Sequence, residues 1–589
     1  MIIISRIGYI IGTKNAEKGL FSCILLSEEE SNKISKVQEG SYVYVKAEDE
    51  EDIIYVGVVK DVQVINPQVN DEGMQFWKDR LRELDHAYSV LSLTEYKVVT
   101  VHLFCSYDQE KREIVPIISW ISPGTELKLA DETLVDSIIL RGEDGLRVGT
   151  LAYLQTEPAI KLHPDKIIED SLAIFGTRGS GKSYAAGIIL EEFEKYGTPC
   201  LVIDPHGEYW GLNQLVKTNA QGELEILAEQ GITVNVVYPG QLRDGLTAEQ
   251  KYTAIGFPPR CIKEMFERIQ ECDNLFLTPL QINFSDIGLT QITSLVDFTS
   301  TQIETIETIW NRITDNYQNA VFDPIGFFQY GLANDDIGRR TENALRRKIE
   351  IINGLNIFKD YGQRIVDKET GEILWPENIH DGSQYDTESL QMGHFGPKQI
   401  TILDVSNPEL SEPARLSFCA SILNSVKDMM RKEIFRGLFI LAEEAHRFAP
   451  IDQRVPTKSI LEWFAREGRK NGAGLCLVSQ RPSGLDRDII SQCNSKILMR
   501  LTEQADLKVA ADIIAGDFRH YIDRLPYFQQ GFGIFMGSAS FLPIVIDFRE
   551  RETNSKFGET KKVVPDITDR EKSVAVYQEE WKEKMKQYS

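Results

Sequence analysis

The sequence lacks the cysteine pattern of a disulfide-bonded or zinc-binding protein. Its eight cysteines, spread over 589 residues, include no Cys-x-x-Cys pair and do not cluster with the eight histidines. Zinc sites and disulfide frameworks normally show such spacings. We therefore expect buried, reduced thiols and no metal centre held by cysteine.

Long hydrophobic runs are also missing. No apolar stretch approaches the ~20 residues that cross a bilayer, and the start MIIISRIGYIIG has no signal-peptide pattern. We expect a cytoplasmic protein that has no membrane partner.

Positive charge is scarce, because 65 Lys and Arg residues face 89 Asp and Glu residues, for a net charge of −24. Such a surface repels nucleic acid, which excludes a protein that coats DNA with its whole exterior. A local basic contact inside a ring or channel remains compatible with this balance.

The pattern along the chain predicts an α/β protein with several units. Short β-branched and aromatic runs up to about residue 155 are typical of a small barrel or sandwich. From about 165, apolar strands alternate with helical stretches, which predicts a mainly parallel sheet that is covered on both faces. We predict an N-terminal β domain at 1–155, an α/β domain at 156–550 with a mainly helical insertion at about 240–395, and a tail at 551–589.

Two further segments have apolar residues at helical spacing, which predicts an amphipathic helix with an apolar stripe in each. The first is in the insertion and starts behind a predicted capping box formed by Thr301 and Glu304. Its apolar positions are Ile303, Ile306, Trp310, Ile313 and Tyr317. The second is in the tail, on Val574, Tyr577, Trp581, Met585 and Tyr588. That terminal helix must bury its apolar face, either on its own domain or on a neighbouring subunit.

The most specific motif is a phosphate-binding loop, GTRGSGKS, between a predicted strand and a predicted helix. Glycines let backbone N–H groups wrap phosphates, and the helix N-terminus adds its positive dipole end. Lys182 can reach the β and γ phosphates of ATP, and Ser183 can ligate Mg²⁺. The predicted nucleotide-binding residues of this segment are Gly176, Thr177, Gly179, Ser180, Gly181, Lys182, Ser183 and Tyr184.

A second motif is the apolar strand LFILA, which ends in Glu443 and Glu444. We interpret it as a Walker B strand, in which Glu443 holds Mg²⁺ and Glu444 orients and deprotonates the attacking water. The alternative is that both glutamates merely begin a solvated helix.

Further candidates follow two other predicted strands. Asp204 and Glu208 end one strand and should point to the same sheet edge as the loop, unless they form an ordinary turn. Gln480 ends another strand and could sense the γ-phosphate. Arg466 or Arg469 could stabilise transition-state charge, in the same subunit or on a neighbour's nucleotide, although a surface salt bridge is the alternative for either arginine.

These motifs together resemble the HerA family of the HerA/FtsK ATPases. The matching segments are GTRGSGKS, LVIDPHGEYW, LFILAEEAHRFAP, AREGRKNGAGLCLVSQRPSGLD and KILMRLTEQAD. They run in family order from about 165 to 545, and the N-terminal β segment resembles the family's HAS barrel. The resemblance implies a RecA-like P-loop ATPase core with an N-terminal β-barrel domain and a helical insertion.

The resemblance also implies a homo-oligomer, a hexameric ring with ATP sites between subunits that moves double-stranded DNA through a central channel. It implies a partner nuclease or an anti-phage effector, such as a sirtuin-like NAD hydrolase, bound through the N-terminal barrel. The sequence departs from the family at Glu443, where the family pattern has Asp. That departure bears on the rate of hydrolysis rather than on the fold.

Two functions therefore compete. The preferred one is an ATP-driven DNA translocase, and the rival is a ring scaffold that binds ATP chiefly to assemble and license an effector. The net charge and Glu443 favour the scaffold, whereas the complete loop, Glu444 and Gln480 favour the motor. A small-molecule kinase is disfavoured, because no acceptor-substrate motif is recognisable.

Overall fold

The structure is a computed structural model of the chain. It describes residues 6–15, 20–25, 37–38, 40–46, 52–65, 96–111, 113–115, 121–130, 134, 145–152, 159–219, 224–240, 258–317, 319–335, 337–355, 357–376, 395–396, 398–433, 437–514 and 520–555. None of the helices in those ranges combines the length and the hydrophobicity that crossing a bilayer would require. The tail stripe that begins at Val574 lies outside the described residues.

The N-terminal strands close into a barrel, as the sequence predicts. They are β1 (Arg6–Asn15), β2 (Leu20–Leu25), β3 (Tyr42–Lys46), β4 (Ile53–Ile65), β5 (Tyr96–Asp108), β6 (Glu113–Val115) and β7 (Glu126–Leu129). Six of them run antiparallel in the order β2-β1-β7-β3-β4-β5, and β2 pairs again with β5 to close the ring. Closure removes the unpaired edges that an open sheet would expose. Alternate residues of these strands, such as Val43, Val45 and Val99, fill the interior.

A twelve-stranded sheet forms the centre of the rest of the chain. Its members are β8 (Leu146–Leu151), β9 (Ala159–Leu162), β10 (Leu172–Phe175), β11 (Cys200–Asp204), β14 (Thr233–Pro239), β15 (Leu275–Leu280), β19 (Gln399–Asp404), β20 (Leu438–Ala442), β21 (Ala473–Ser479), β22 (Ser495–Leu498), β23 (Phe532–Gly537) and β24 (Ser540–Phe548). The order is β15-β14-β19-β11-β20-β21-β10-β22-β23-β24-β8-β9. The first eight strands are parallel, and the last four are antiparallel.

Both faces of the parallel strands are buried, which explains their continuous apolar sequences. On β10, Leu172 and Ile174 pack into one hydrophobic cluster, and Ala173 and Phe175 pack into another on the opposite face. The expected α/β architecture with covered faces is therefore confirmed.

Helices cover the sheet or belong to the segment between β11 and β19. They are α1 (Pro164–Asp170), α2 (Lys182–Lys195), α3 (Ile262–Ile269), α4 (Gly288–Leu295), α5 (Ser300–Asn316), α6 (Pro324–Asn334), α7 (Arg339–Asn353), α8 (Glu412–Arg431), α9 (Ala445–Phe448), α10 (Pro456–Glu467), α11 (Arg487–Gln492), α12 (Gln504–Ile513) and α13 (His520–Arg524). Two small sheets complete the description, β12 (Gln214–Thr218) with β13 (Leu224–Gln230), and β16 (Ala320–Phe322) with β17 (Ile365–Asp367) and β18 (Ile373–Trp375).

The structure differs from the sequence-based expectations at three points. The capping box of α5 is formed by Thr299 and Gln302 rather than by Thr301 and Glu304, because the helix already begins at Ser300. Strand β15 lies within the predicted insertion, yet it extends the main sheet. Strand β8 lies before residue 155, yet it pairs with β24. Sequence pattern identifies strands, but it does not say which sheet they join. The domain boundaries themselves stay predictions.

Candidate active site

The phosphate-binding loop connects β10 to α2, and its ends are fixed by the neighbouring strands. The Gly176 N–H donates to the carbonyl of Ser479 (3.3 Å), and the Thr177 N–H donates to the carbonyl of Arg500 (2.7 Å). Gly181 precedes the helix with φ +103°, in the left-handed region that glycine tolerates best. The loop therefore has the backbone that the motif predicts.

Lys182 is the cation at the centre of the site. Its side chain is buried, and Nζ donates to the carbonyl of Thr177 (3.1 Å). Burial lowers the pKa of Lys182, although the carboxylates of Glu443, Glu444 and Glu208 act in the opposite direction. A positive group surrounded by acids can bind an anionic phosphate that enters the loop.

Ser183 and Glu443 meet across the site, as the sequence predicts for a loop hydroxyl and a Walker B acid. Ser183 Oγ donates to Glu443 Oε1 (3.2 Å), and the buried Tyr209 hydroxyl donates to Glu443 Oε2. Burial raises the pKa of Glu443 to about 8, against the opposing effect of the Tyr209 hydrogen bond. The carboxylate is thus held between the loop helix and Tyr209.

This pair fits Mg²⁺ as a metal that is shared with a substrate phosphate. A hydroxyl and a carboxylate are hard oxygen ligands, and Mg²⁺ commonly takes one or two protein ligands together with water and phosphate oxygens. A cation beside Glu443 would favour its ionised form. Among the described residues, no group of three or more His, Cys, Asp or Glu side chains could hold a metal ion. The donor set therefore suits Mg²⁺ only together with a bound nucleotide.

Glu444 has the geometry of a positioned general base. Its backbone is left-handed, with φ +51°, which costs a non-glycine residue of order 1–3 kcal/mol and is characteristic of functional sites. His206 Nε2 lies 3.7 Å from Glu444 Oε1, and His446 Nδ1 lies 3.3 Å from Oε2. His446 Nδ1 also lies 3.1 Å from Ser479 Oγ.

Two influences act in opposite directions on the pKa of Glu444. Burial raises it, but His206, His446 and Lys182 together hold it below its ordinary value. Glu444 is therefore ionised near neutral pH, as a base that accepts a proton from water requires.

The position of Asp204 at a strand end suggests that its carboxylate faces a ligand, but the carboxylate instead contacts the backbone of the next residues. Its carboxylate accepts four backbone N–H groups, from His206 (3.0 Å), Gly207 (2.7 Å), Glu208 (2.8 Å) and Tyr209 (3.1 Å). Asp204 therefore holds the turn that carries the other residues. A direct contact between Asp204 and nucleotide stays a prediction.

Three other predicted residues lie around the loop. Glu208 is next to Ser183, and burial raises the pKa of Glu208. Gln480 directly follows Ser479, whose carbonyl contacts the start of the loop. The Tyr184 hydroxyl accepts the N–H of Arg551 (2.7 Å), so it is occupied by the segment that follows β24.

The two candidate arginines lie at the opposite edge of the sheet. Arg469 is in a 3₁₀ turn, Gly468–Asn471, just before the amino end of β21, whereas the loop contacts the carboxyl end of that strand. Arg466 is in the last turn of α10 and pairs with Glu462 (3.0 Å). Both arginines are exposed. The structure therefore does not bring either arginine to the site of its own subunit.

Sequence reasoning misses two contacts at this site. Tyr209 belongs to the Asp204 segment, where the motif gives it no role, yet its hydroxyl contacts Glu443. His206 belongs to the same segment and flanks Glu444. The signal in the sequence for both residues is the density of polar groups after β11. The carboxyl ends of parallel strands indicate where a ligand-binding residue lies, but they do not indicate which partner its side chain contacts.

Comparisons of the sequence with known proteins find similar helicases. The family description "Helicase HerA, central domain" matches residues 146–425. The DNA double-strand break repair helicase HerA of Sulfurisphaera tokodaii is 22% identical over 548 residues, which cover 92% of each chain. The protein of the same name from Pyrococcus furiosus is 25% identical over 549 residues, which cover 90% of each chain. A solved structure of VirB4 from Thermoanaerobacter pseudethanolicus is 13% identical, with a TM-score of 0.43, and the match covers 70% of this chain and 98% of that one. The chain is therefore similar to HerA helicases over most of its length.

Proposed function

We propose that this protein is an ATP-driven motor that moves double-stranded DNA through a closed ring of identical subunits, most simply a hexamer. The observation that carries the proposal is the meeting of Lys182, Ser183, Glu443 and Glu444 at one sheet edge. Two relatives that align with nearly the whole chain are named DNA double-strand break repair helicases. Their similarity supports DNA as the substrate of the motor.

The residues divide the hydrolysis of ATP into separate tasks. Lys182 neutralises charge on the β and γ phosphates, and Glu444 orients and deprotonates the attacking water. Ser183 and Glu443 would hold Mg²⁺, which neutralises phosphate charge when it is bound. Gln480 lies beside the loop and would sense the γ-phosphate.

Ring assembly follows from the position of the arginines. If Arg469 stabilises transition-state charge, it does so on the nucleotide of a neighbour. An interface that passes one subunit's arginine to the next is heterologous, and it must close into a ring to complete every site. The N-terminal barrel is then available to bind a partner nuclease or an anti-phage effector.

The DNA contact that we propose includes α7. Of the five basic residues of α7, Arg346 pairs with Glu342 (3.1 Å) and Lys348 donates to Gln302 (2.8 Å). Arg339, Arg340 and Arg347 are exposed. Enclosing a few such cations in a channel would allow contact with DNA despite the net charge of −24.

An ATPase assay with and without double-stranded DNA tests the motor. We expect the purified ring to hydrolyse ATP faster when DNA is added. A ring that binds ATP but whose hydrolysis ignores DNA would instead support the scaffold function, in which ATP serves to assemble a partner protein.

The salt dependence of DNA binding tests the role of α7. Neutralising Arg339, Arg340 and Arg347 to Gln should reduce the slope of log affinity against log salt by up to about 0.9 for each phosphate that the variant no longer neutralises. Lys111→Gln, on an exposed turn of the barrel, is the control. An unchanged slope in the triple variant would remove α7 from the DNA site.

A further inference from the structure

The segment that follows β24 places a buried arginine against α2, the helix that begins at the phosphate-binding loop. Arg551 is only 7% exposed, although its guanidinium is always charged. A charge is retained in a protein interior only where its surroundings pair it and hydrogen-bond it. Arg551 takes no direct part in the proposed hydrolysis of ATP, so its burial needs another explanation.

The face of α2 that receives Arg551 carries an aromatic ring, a glycine and a carboxylate at helical spacing. Tyr184, Gly187 and Glu191 lie three and four positions apart, so they form a row along one side of the helix. The Arg551 guanidinium lies 5.9 Å from the centre of the Tyr184 ring. A Cβ placed on Gly187 would lie 2.6 Å from Cζ of Arg551. The arginine therefore rests directly on the helix backbone, and a larger residue at 187 would displace it.

Hydrogen bonds join both the backbone and the side chains of this segment to α2. The Arg551 N–H donates to the Tyr184 hydroxyl (2.7 Å), and Arg551 Nε lies 3.4 Å from Glu191 Oε1. The Thr553 N–H donates to the same Glu191 oxygen (3.0 Å), and the Thr553 hydroxyl accepts from Arg551 Nη2 (2.8 Å). These five residues, Tyr184, Gly187, Glu191, Arg551 and Thr553, are called the Arg551 cluster.

The Arg551 cluster begins one residue after the loop hydroxyl. Lys182 and Ser183 are the first two residues of α2, and Tyr184 is the third. A helix moves as a unit over its first turns, because each N–H is bonded to a carbonyl four residues back. A contact that fixes residues 184–191 therefore also fixes the direction in which Lys182 and Ser183 face Glu443, which follows a different strand.

We propose that Arg551 is a positioning residue for ATP, and that the Arg551 cluster holds α2 in the orientation in which the loop accepts phosphates. The inference rests on the proposed ATP site in the loop. Arg551 acts through the helix rather than by touching the nucleotide. A loop that adopts the competent orientation for only a fraction of the time binds its ligand more weakly by that fraction.

Titration calorimetry and steady-state kinetics of the full-length protein, with ATP and Mg²⁺, test the role of Arg551. Arg551→Ala should weaken ATP binding about tenfold, which corresponds to a competent fraction of about one in ten. KM should rise by a similar factor, but kcat should stay within about twofold, because Glu444 is not part of the Arg551 cluster. Glu191 keeps its ion pair with Arg549 (2.9 Å), so this variant leaves no buried charge unpaired.

Gly187→Ala displaces the guanidinium while retaining its charge. This variant should fold, because alanine is favoured over glycine within a helix, yet it should also weaken ATP binding. The double variant Gly187→Ala/Arg551→Ala should bind ATP no more weakly than Arg551→Ala, since both substitutions act on one contact. Losses that simply add would overturn the proposal.

Arg312→Ala is the matched control, because Arg312 also pairs with a mostly buried carboxylate, that of Asp335 (2.6 Å), but belongs to α5. It should lower Tm without changing the affinity for ATP or KM. Unchanged ATP affinity in Arg551→Ala would overturn the positioning role, and so would an equal loss in Arg312→Ala.

Amide hydrogen exchange adds a readout that a merely structural role would not move. Coupling between two sites is reciprocal, so ATP should slow the exchange of the Arg551 and Thr553 amides in the unmodified protein by about the same factor of ten. Exchange that ignores ATP would contradict the positioning role while leaving the ATP site intact. A protein that binds no ATP at all would contradict the ATP site and the positioning role together.

Discussion

The two edges of the parallel sheet differ in what they carry. The carboxyl edge collects the phosphate loop after β10, Glu443 and Glu444 after β20, and Gln480 after β21. The amino edge carries Arg469 before β21, and the seven residues of that strand separate the edges by about 23 Å. One subunit therefore assembles the groups that we propose to bind ATP and activate water. An arginine from the amino edge could act only on another subunit's nucleotide.

The largest expected effect comes from removing the buried cation at the carboxyl edge. Lys182→Ala should abolish tight ATP binding, because its buried ammonium supplies the positive charge that faces the β and γ phosphates. Nucleotide titration measures this. Lys195→Ala is the control, because Lys195 ends the same helix with an exposed side chain that pairs with the buried Glu192 and the exposed Glu552. Normal ATP affinity in Lys182→Ala would show that the loop is not the site.

The next effect concerns turnover rather than binding. Glu444→Gln should retain ATP but reduce hydrolysis by ~10²–10⁴, because an amide accepts no proton from water. A titration and a steady-state assay on the same preparation separate the two quantities. Glu271→Gln, an exposed substitution far along the chain, is the control. Retained hydrolysis would transfer the role of base to Glu443 or Glu208.

The comparison of the two edges is tested most directly by mixing subunits. Arg469→Ala and Glu444→Gln should each be inactive alone, yet active in a mixed ring if Arg469 acts on a neighbour. With equal amounts assembled at random, about a quarter of the interfaces pair an intact arginine with an intact glutamate. The expected activity is therefore about a quarter of that of the unmodified ring.

Lys470→Ala provides the control for that experiment, because Lys470 is the exposed neighbour of Arg469 and pairs with Glu467 (2.9 Å). It should leave activity unchanged. A proven mixed ring without activity would leave Arg466 or Arg500 as the next candidates. An active monomer would contradict the arrangement altogether.

The local parts of this architecture can be predicted from sequence. Strand β10 has the predicted bounds, Leu172–Phe175, and the glycine loop and α2 follow as expected. These features depend on neighbouring residues, such as an apolar run, glycines with left-handed backbone and a helix start. Local patterns of this kind are written within a few residues of the chain.

Contacts between distant parts of the chain could not be predicted. Tyr209 meets Glu443 across 234 positions, and Gly531 meets the loop at Ser180 although no motif marks it. The strand-end position of Asp204 predicts that it faces the ligand, but four backbone N–H groups use its oxygens. Such contacts depend on strand order and side-chain direction, which periodicity alone leaves open.

The smallest expected effect concerns the crowding of acids at the carboxyl edge. Asp404 ends β19 in register with Asp204, and it is buried. Its Oδ1 accepts the N–H (3.0 Å) and the hydroxyl (2.6 Å) of Ser406, while Oδ2 has no hydrogen-bond partner among the described residues. Burial, together with the charge of Asp204, raises the pKa of Asp404 to about 7. The folded protein therefore prefers the protonated acid.

The pH dependence of stability follows from that direction. An unfolded Asp has a pKa of about 3.9, so the stability contributed by protonated Asp404 is complete below that value. It is lost as the pH rises through about 7. Asparagine stays neutral throughout. Asp404→Asn should therefore gain about 1–3 kcal/mol in unfolding free energy relative to the unmodified protein between pH 5 and pH 8.

Thermal unfolding of both proteins at pH 5 and pH 8 measures this difference as a shift of a few degrees in Tm. Asp367→Asn is the control, because the backbone N–H groups of Thr370 and Glu369 hold the pKa of that surface carboxylate below its ordinary value. Asp367 is therefore ionised at both pH values, and its substitution should have the same effect at each. If Asp404→Asn also changes Tm by the same amount at both pH values, Asp404 is ionised in the folded protein. In that case, the burial of a second acid beside Asp204 does not distinguish this edge of the sheet.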